Sequence, residues 1–205
     1  MPAFEVSPQL FPPVEWFAAI PVGATLLIDP HTRWNKRDKS THRYRVADVN
    51  GPVDLTVPIG KPESFTDAKL ADISLSNHGQ WWHVHRVTLE SAYGRTPFFE
   101  YYFPKFERFF NAETTTEFPQ LVSYLTATTN QVLELLGLDA KVVMGSSQEK
   151  LEPFRCDSLP SYWQVRANKF GFISGLSILD LLFNLGPEAT LYLRRLKKAS
   201  TLSQR

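Results

Sequence analysis

The sequence predicts an α/β protein: a central sheet of short strands with flanking helices and a helical C-terminal part. Three observations carry this expectation. "ATLLID" (24–29) is a short continuous apolar run closed by Asp29-Pro30, the pattern of a buried strand. It follows a Pro-bounded loop and a compact apolar segment of helical character, a layered α/β order. The second half of the chain then carries long segments with helical apolar spacing, 118–138 and 175–198.

Taken in order, "SPQLFP" (7–12) reads as a loop and "VEWFAAI" (14–20) as a short helix ended by Pro21. Residues 31–46 set Arg33, Lys36, Arg37, Lys39, Arg43 and Arg45 against the single acid Asp38. "NGP" (50–52) marks a turn. "VDLTVPIG" (53–60) and "LADISLS" (70–76) alternate, which predicts two strands, the second with Ile73 and Leu75 on one face. From Gln80 to Tyr93 the spacing is helical. Residues 96–110 are so rich in aromatics that they must pack against something. Residues 118–138 form an amphipathic helix with Gly137 as C-cap. "AKVVMGSS" (140–147) is a strand entering a turn, residues 148–171 are irregular, and 175–198 are two helices broken at Gly186-Pro187.

Composition excludes several classes. The 205 residues are 43% hydrophobic and 21% charged, with a net charge of +1. This is globular composition without the field that would gather nucleic acid. No apolar run approaches the roughly 20 residues of a membrane span. The N-terminus lacks the basic and apolar regions of a signal peptide. Cys156 is the sole cysteine and is expected to be a passive thiol. A cytoplasmic setting follows as the expectation, and the cofactor is left unknown.

"NHGQWWHVHR" (77–86) concentrates three of the five histidines. On a strand His83 and His85 would share a face. On a helix they lie about 200° apart. Trp81, His85, Thr88, Leu89 and Ala92 fall on one helical face, so the spacing speaks against a metal site. His85 then has two readings: a core histidine with satisfied nitrogens, or a pocket residue for acid–base work. The basic stretch also has two: a solvated loop, or an anion site. Arg43 and Arg45 alternate, so on a strand both guanidiniums share the face opposite Tyr44, an arrangement suited to phosphate or carboxylate. The turn "GSSQEK" (145–150) lacks the phosphate-loop pattern, and no nucleophile elbow is present.

Several blocks together resemble the bacterial WbqC-like proteins, from about Pro8 to Leu193. They are "QLFPPVEWFAAI" with the strand carrying Asp29, "NKRDKSTHRYRV" with "GPVDLTVPI", "WWHVHRVTLESAYGRTPFFEYYFP", and "KFGFISGLSILDLLFNLGPEATLYL". Two departures stand out. His42 occupies the place where the family usually has Asn, and the spacing from Lys36 to Arg43 is shifted. The resemblance implies a single WbqC-like domain over 1–205, with a helical lobe from about residue 98. It also implies association with surface-polysaccharide synthesis, including O-antigen, and a transferase passing glycine or another acyl group to a sugar.

The resulting expectation is a transferase with an anionic substrate such as a nucleotide sugar or acyl donor. Arg43 and Arg45 would hold the anion, with Gln9, Asp29, Lys36, Trp81 and Asn184 as further ligand-binding candidates. His85 would act as base, oriented by Tyr93 or Asp180. The alternative is a non-enzymatic interaction protein, self-associating or binding a partner through residues 97–110 and the apolar "LSILDLLF" helix.

Overall fold

A computed structural model describes residues 2–64, 66–154 and 159–203. Cys156 lies outside them. Three short strands, β1 (Ala3–Glu5), β2 (Ala24–Ile28) and β5 (Ala140–Met144), form a parallel sheet in the order β1-β2-β5. Parallel neighbours need a crossover, and α1 (Val14–Ala19) lies on the one between β1 and β2. The second sheet is the antiparallel hairpin of β3 (Arg43–Asp48) and β4 (Gly51–Thr56). Its two-residue loop is Val49-Asn50, and Gly51, at φ +119°, follows it. The helices are α2 (Trp81–Tyr93), α3 (Phe99–Tyr102), α4 (Thr114–Glu117), α5 (Leu121–Leu135), α6 (Ala167–Phe170), α7 (Ile178–Leu185) and α8 (Glu188–Ser203). This is the α/β architecture that the sequence predicts.

Two strand expectations need correction. Residues 70–76 are not a strand. Leu70–Asp72 form a 3-10 turn, because the Lys69 N–H donates to Asp72 Oδ2 at 2.8 Å and curls the chain. Only isolated bridges, Ile59 with Leu75 and Ser74 with Gln120, remain of the alternation. The strand expected over 53–60 starts earlier, at Gly51, and ends at Thr56, since Pro58 has no N–H for a ladder.

One core cluster draws on residues from Val6 to Leu196. The 97–110 segment is part of it: Phe99, Tyr102, Phe103, Phe106, Phe109 and Phe110 are buried, and Tyr101 is exposed. In α7 every residue from Ile178 to Asn184 is buried. The surface that a partner-binding reading requires of these two segments is therefore largely occupied by intramolecular packing. Gly186 ends α7 at φ +54°, and a Cβ there would stand 2.5 Å from the Phe98 ring. Only glycine allows the turn into α8 at that distance.

Candidate functional site

Three segments meet along one open groove of about 340 Å³: the loop 9–13, the stretch from Lys39 to Arg45, and the entry to α7 at Gly175 and Ser177. Backbone hydrogen bonds sew them together. Leu10 N–H donates to Ser40 O (2.8 Å), Ser177 N–H to Arg45 O (2.8 Å) and Ile178 N–H to Pro12 O (2.9 Å). The groove wall is thus part of the fold. Phe11 sits in it at φ +42°, an unfavoured backbone for a bulky residue that costs on the order of 1–3 kcal/mol. Its ring is clamped against Tyr44 at 5.0 Å and Phe110 at 5.8 Å, and this packing fixes the strained turn.

Alternation along β3 aims Tyr44 into the core and Arg43 and Arg45 into the groove, as the sequence predicts. The β3–β4 register places Asp54 opposite Arg45. Arg45 Nε donates to Asp54 Oδ1 at 2.7 Å and its Nη2 to Oδ2 at 3.1 Å. The hydrogen bond from Arg45 and the charges of both arginines hold the Asp54 carboxyl below its ordinary range. Arg43 Nε donates to Thr56 Oγ1 at 2.9 Å, and its Nη1 stands 3.9 Å from Asp54. Among the described residues no hydrogen bond engages either Nη group of Arg43. Lys39 adds a third cation, its ammonium donating to Lys36 O at 2.9 Å. Lys39, Arg43 and Arg45 against Asp54 leave a groove with a surplus of positive charge, and Gln9 offers an amide at its edge.

The remaining candidates lie elsewhere. His85 is buried, with no face on the groove. The Thr56 carbonyl can only accept, so His85 Nε2–H donates to it at 3.2 Å. His85 Nδ1 then accepts from the Tyr44 hydroxyl at 3.1 Å. Burial lowers its pKa to about 4. Neutral and with both nitrogens engaged, it matches the core-histidine reading. Trp81 packs edge-on against it at 5.1 Å and donates its indole N–H to Ser76 O at 2.9 Å. His83 is exposed on the far side of α2. Among the described residues no three His, Cys, Asp or Glu side chains gather as a metal site would.

Asp180 and Asn184 organise a buried polar hub on α7. Asp180 Oδ2 accepts from Tyr162 Oη at 2.7 Å and from Gln164 Nε2 at 3.0 Å. Gln164 also brackets Ile173, accepting its N–H and donating to its carbonyl, both at 2.9 Å. Asn184 Oδ1 accepts from Val165 N–H at 3.0 Å. Burial raises the Asp180 pKa, against the pull of hydrogen bonds from Tyr162, Tyr93, Gln164 and Asn184. The Tyr93 hydroxyl, beside this carboxyl, also accepts from Ala47 N–H at 3.1 Å, and burial lifts its pKa well above the ordinary value. The contacts of Tyr162, Gln164 and Val165 tie the stretch 162–173, which includes α6 and not only irregular chain, to α7, and Lys169 Nζ, donating to Val49 O at 2.8 Å, ties it to the hairpin. Asp29 accepts from His31 N–H at 2.8 Å and closes the turn after β2, away from the groove, while Lys36 sits exposed on the loop before β3.

The structure therefore brings together Gln9, Arg43 and Arg45, and leaves His85, Trp81, Tyr93, Asp180 and Asn184 in the interior. Sequence reading missed Lys39, Ser40 and Asp54 as groove residues. Asp54 had a signal: counting back through the turn at Gly51 pairs it with Arg45.

The family model described as the WbqC-like protein family matches residues 7–153. That span contains the groove from Gln9 to Asp54 and stops short of Asp180 and Asn184, so the likeness over 154–193 rests on the quoted C-terminal block alone. No curated protein and no solved structure matches the chain. All of the groove's lining except Gly175 and Ser177 thus lies within the matched span, and the chain belongs to the WbqC-like protein family.

Proposed function

We propose that the groove binds the anionic part of a small-molecule donor, a nucleotide sugar or an acyl donor, in a transferase reaction of surface-polysaccharide precursor synthesis. The observation that carries this reading is that Lys39, Arg43 and Arg45 line one groove of ligand size, the two arginines beside a single carboxylate, Asp54. Guanidiniums held on one strand face suit a diphosphate or carboxylate, and they also offset the charge that builds on such a group as it leaves. Asp54 keeps Arg45 extended along the hairpin and leaves the Arg43 Nη groups for ligand.

Within this reading His85 is a positioning residue. It fixes the Thr56 carbonyl, and the Thr56 hydroxyl holds Arg43 Nε. Asp180, Tyr93 and Asn184 hold the chain that leads into Gly175 and Ser177 at the groove's edge. The whole chain is read as one domain, supported by the single core cluster that spans its two halves. A cytoplasmic setting belongs to the same proposal. Among the described residues, no helix is long and apolar enough to cross a membrane. The reading is tested by calorimetric titration with pyrophosphate and a panel of nucleotide sugars and acyl donors. Binding should weaken in the Arg43→Ala/Arg45→Ala variant. Equal affinity in that variant for every ligand that binds the wild type would remove the groove from the account.

A further inference from the structure

A second cavity of about 330 Å³ shares Gln9 and Pro13 with the anion groove. It opens just beyond the carboxyl end of β1, at Val6 and Ser7. Ligands of open parallel α/β sheets lie in crevices outside the carboxyl ends of the strands. Its far wall is residues 151–154, held by Leu151 N–H donating to Glu5 O at 2.9 Å.

The lining differs in kind from that of the groove. Trp16 and Phe154, both partly buried, line the cavity with Pro13 and Leu151. Two carboxylates also line it, the exposed Glu152 and the partly buried Glu15. Glu15 is the one set beside Trp16 on α1. Its side chain makes no hydrogen bond within the described residues, and Oε2 is shielded from solvent without a donor. A partly buried carboxylate that the chain leaves without a donor favours a ligand that brings an N–H or O–H to it. The lining therefore asks for a flat apolar group with an N–H edge.

We propose that the two cavities form one bipartite site for a nucleoside diphosphate moiety, whether free or as part of a larger donor. The diphosphate lies on Lys39, Arg43 and Arg45. The base lies between Trp16 and Phe154 with its N–H edge on Glu15, and Gln9 stands between the two halves. Base stacking on an aromatic side chain is favourable for every base, and a carboxylate adds preference for bases with donor edges. This inference rests on the proposed anion groove and specifies the ligand class that the groove serves.

The test is calorimetry of the full-length chain with GDP, ADP, CDP, UDP and pyrophosphate, together with Trp16→Ala and Glu15→Gln. The tightest nucleoside diphosphate is expected to bind at least about tenfold more strongly than pyrophosphate. Each variant should bring that nucleotide back toward pyrophosphate and leave pyrophosphate itself unchanged. Glu15→Gln keeps shape and volume, so it reports even if Trp16→Ala fails to fold. Nucleotides that bind no better than pyrophosphate would overturn the base subsite while leaving the groove standing. A nucleotide advantage untouched by either variant would overturn it too. Failure of both pyrophosphate and nucleotides to bind would overturn the groove reading along with it.

Discussion

Arg45 grips Asp54 across the β3–β4 hairpin through both carboxylate oxygens, at 2.7 and 3.1 Å, on the wall of the groove that Lys39 and Arg43 also line. The pair is partly exposed, and pairs of this kind contribute about 0.2–1 kcal/mol to stability. Its larger consequence is electrostatic: Asp54 occupies donors that an anionic ligand would otherwise take.

Asp54→Asn is therefore expected to tighten anion binding severalfold while changing stability by less than about 1 kcal/mol. Calorimetry with pyrophosphate, paired with a urea melt, reads both quantities. Weaker binding in this variant would mean that Asp54 serves the ligand by holding Arg45 in place, and that its negative charge is secondary.

His85 sets a pH dependence whose sign follows from its position. Its folded pKa, lowered by burial to about 4, lies below the ordinary 6.5. Between these values the unfolded chain takes up a proton that the folded chain refuses. Stability is complete above pH 6.5 and declines as pH falls toward 4, by on the order of 3 kcal/mol for this group. His42, also lowered to about 4 by burial and by Lys39 and Arg43, acts in the same direction. Asp180, with its raised pKa, opposes them at the acidic end, because its protonated form is favoured in the fold. His85→Gln should reduce stability at pH 7.5 and flatten the slope between pH 6.5 and 4.5, as read by denaturant melts. An unchanged slope would show that His85 takes up its proton equally in the folded and unfolded chains.

Asp180 distinguishes a structural hub from a reacting group. Asp180→Ala leaves the Tyr162 and Gln164 donors buried without an acceptor, a loss of about 2–4 kcal/mol. Asp180→Asn keeps an acceptor oxygen and removes the cost of a buried charge, so it should be much milder. Denaturant melts order the two variants, and limited proteolysis within 162–173 should accelerate in the alanine variant first. Equal damage from both substitutions would indicate that the negative charge itself is required.

Gly186→Ala tests the junction between α7 and α8. The added Cβ would meet the Phe98 ring at 2.5 Å in a left-handed backbone, and a loss of about 2–4 kcal/mol is expected. A melt within 1 kcal/mol of wild type would mean that Phe98 swings aside freely.

Much of the fold was legible because local pattern and tertiary fate agreed. The run at 24–29, the helical face of Trp81, His85 and Leu89, and the break at Gly186-Pro187 all resolve as the sequence predicts. The alternation at 70–76 misled because a local side-chain bond, Asp72 to the Lys69 N–H, outcompeted strand pairing. The site divided along a similar line. Period-two spacing placed Arg43 and Arg45 on one face, which is local information. Whether His85 or Asp180 reached the same cavity depended on which partners the fold set against them. Tyr44 and Thr56 close around His85, and Tyr162 and Gln164 around Asp180, from 41 and 29 and from 18 and 16 residues away in sequence. Partner-dependent burial of that kind leaves no periodic trace.

The most direct measurement is calorimetric titration of pyrophosphate into the wild type and into Arg43→Ala/Arg45→Ala, at low and moderate salt. The wild type should bind, with affinity falling as salt rises. The double variant should lose at least about tenfold in affinity with its melting midpoint nearly unchanged, since both side chains reach solvent. Pyrophosphate binding that is identical in the two proteins, or absent from the wild type, would contradict the anion groove.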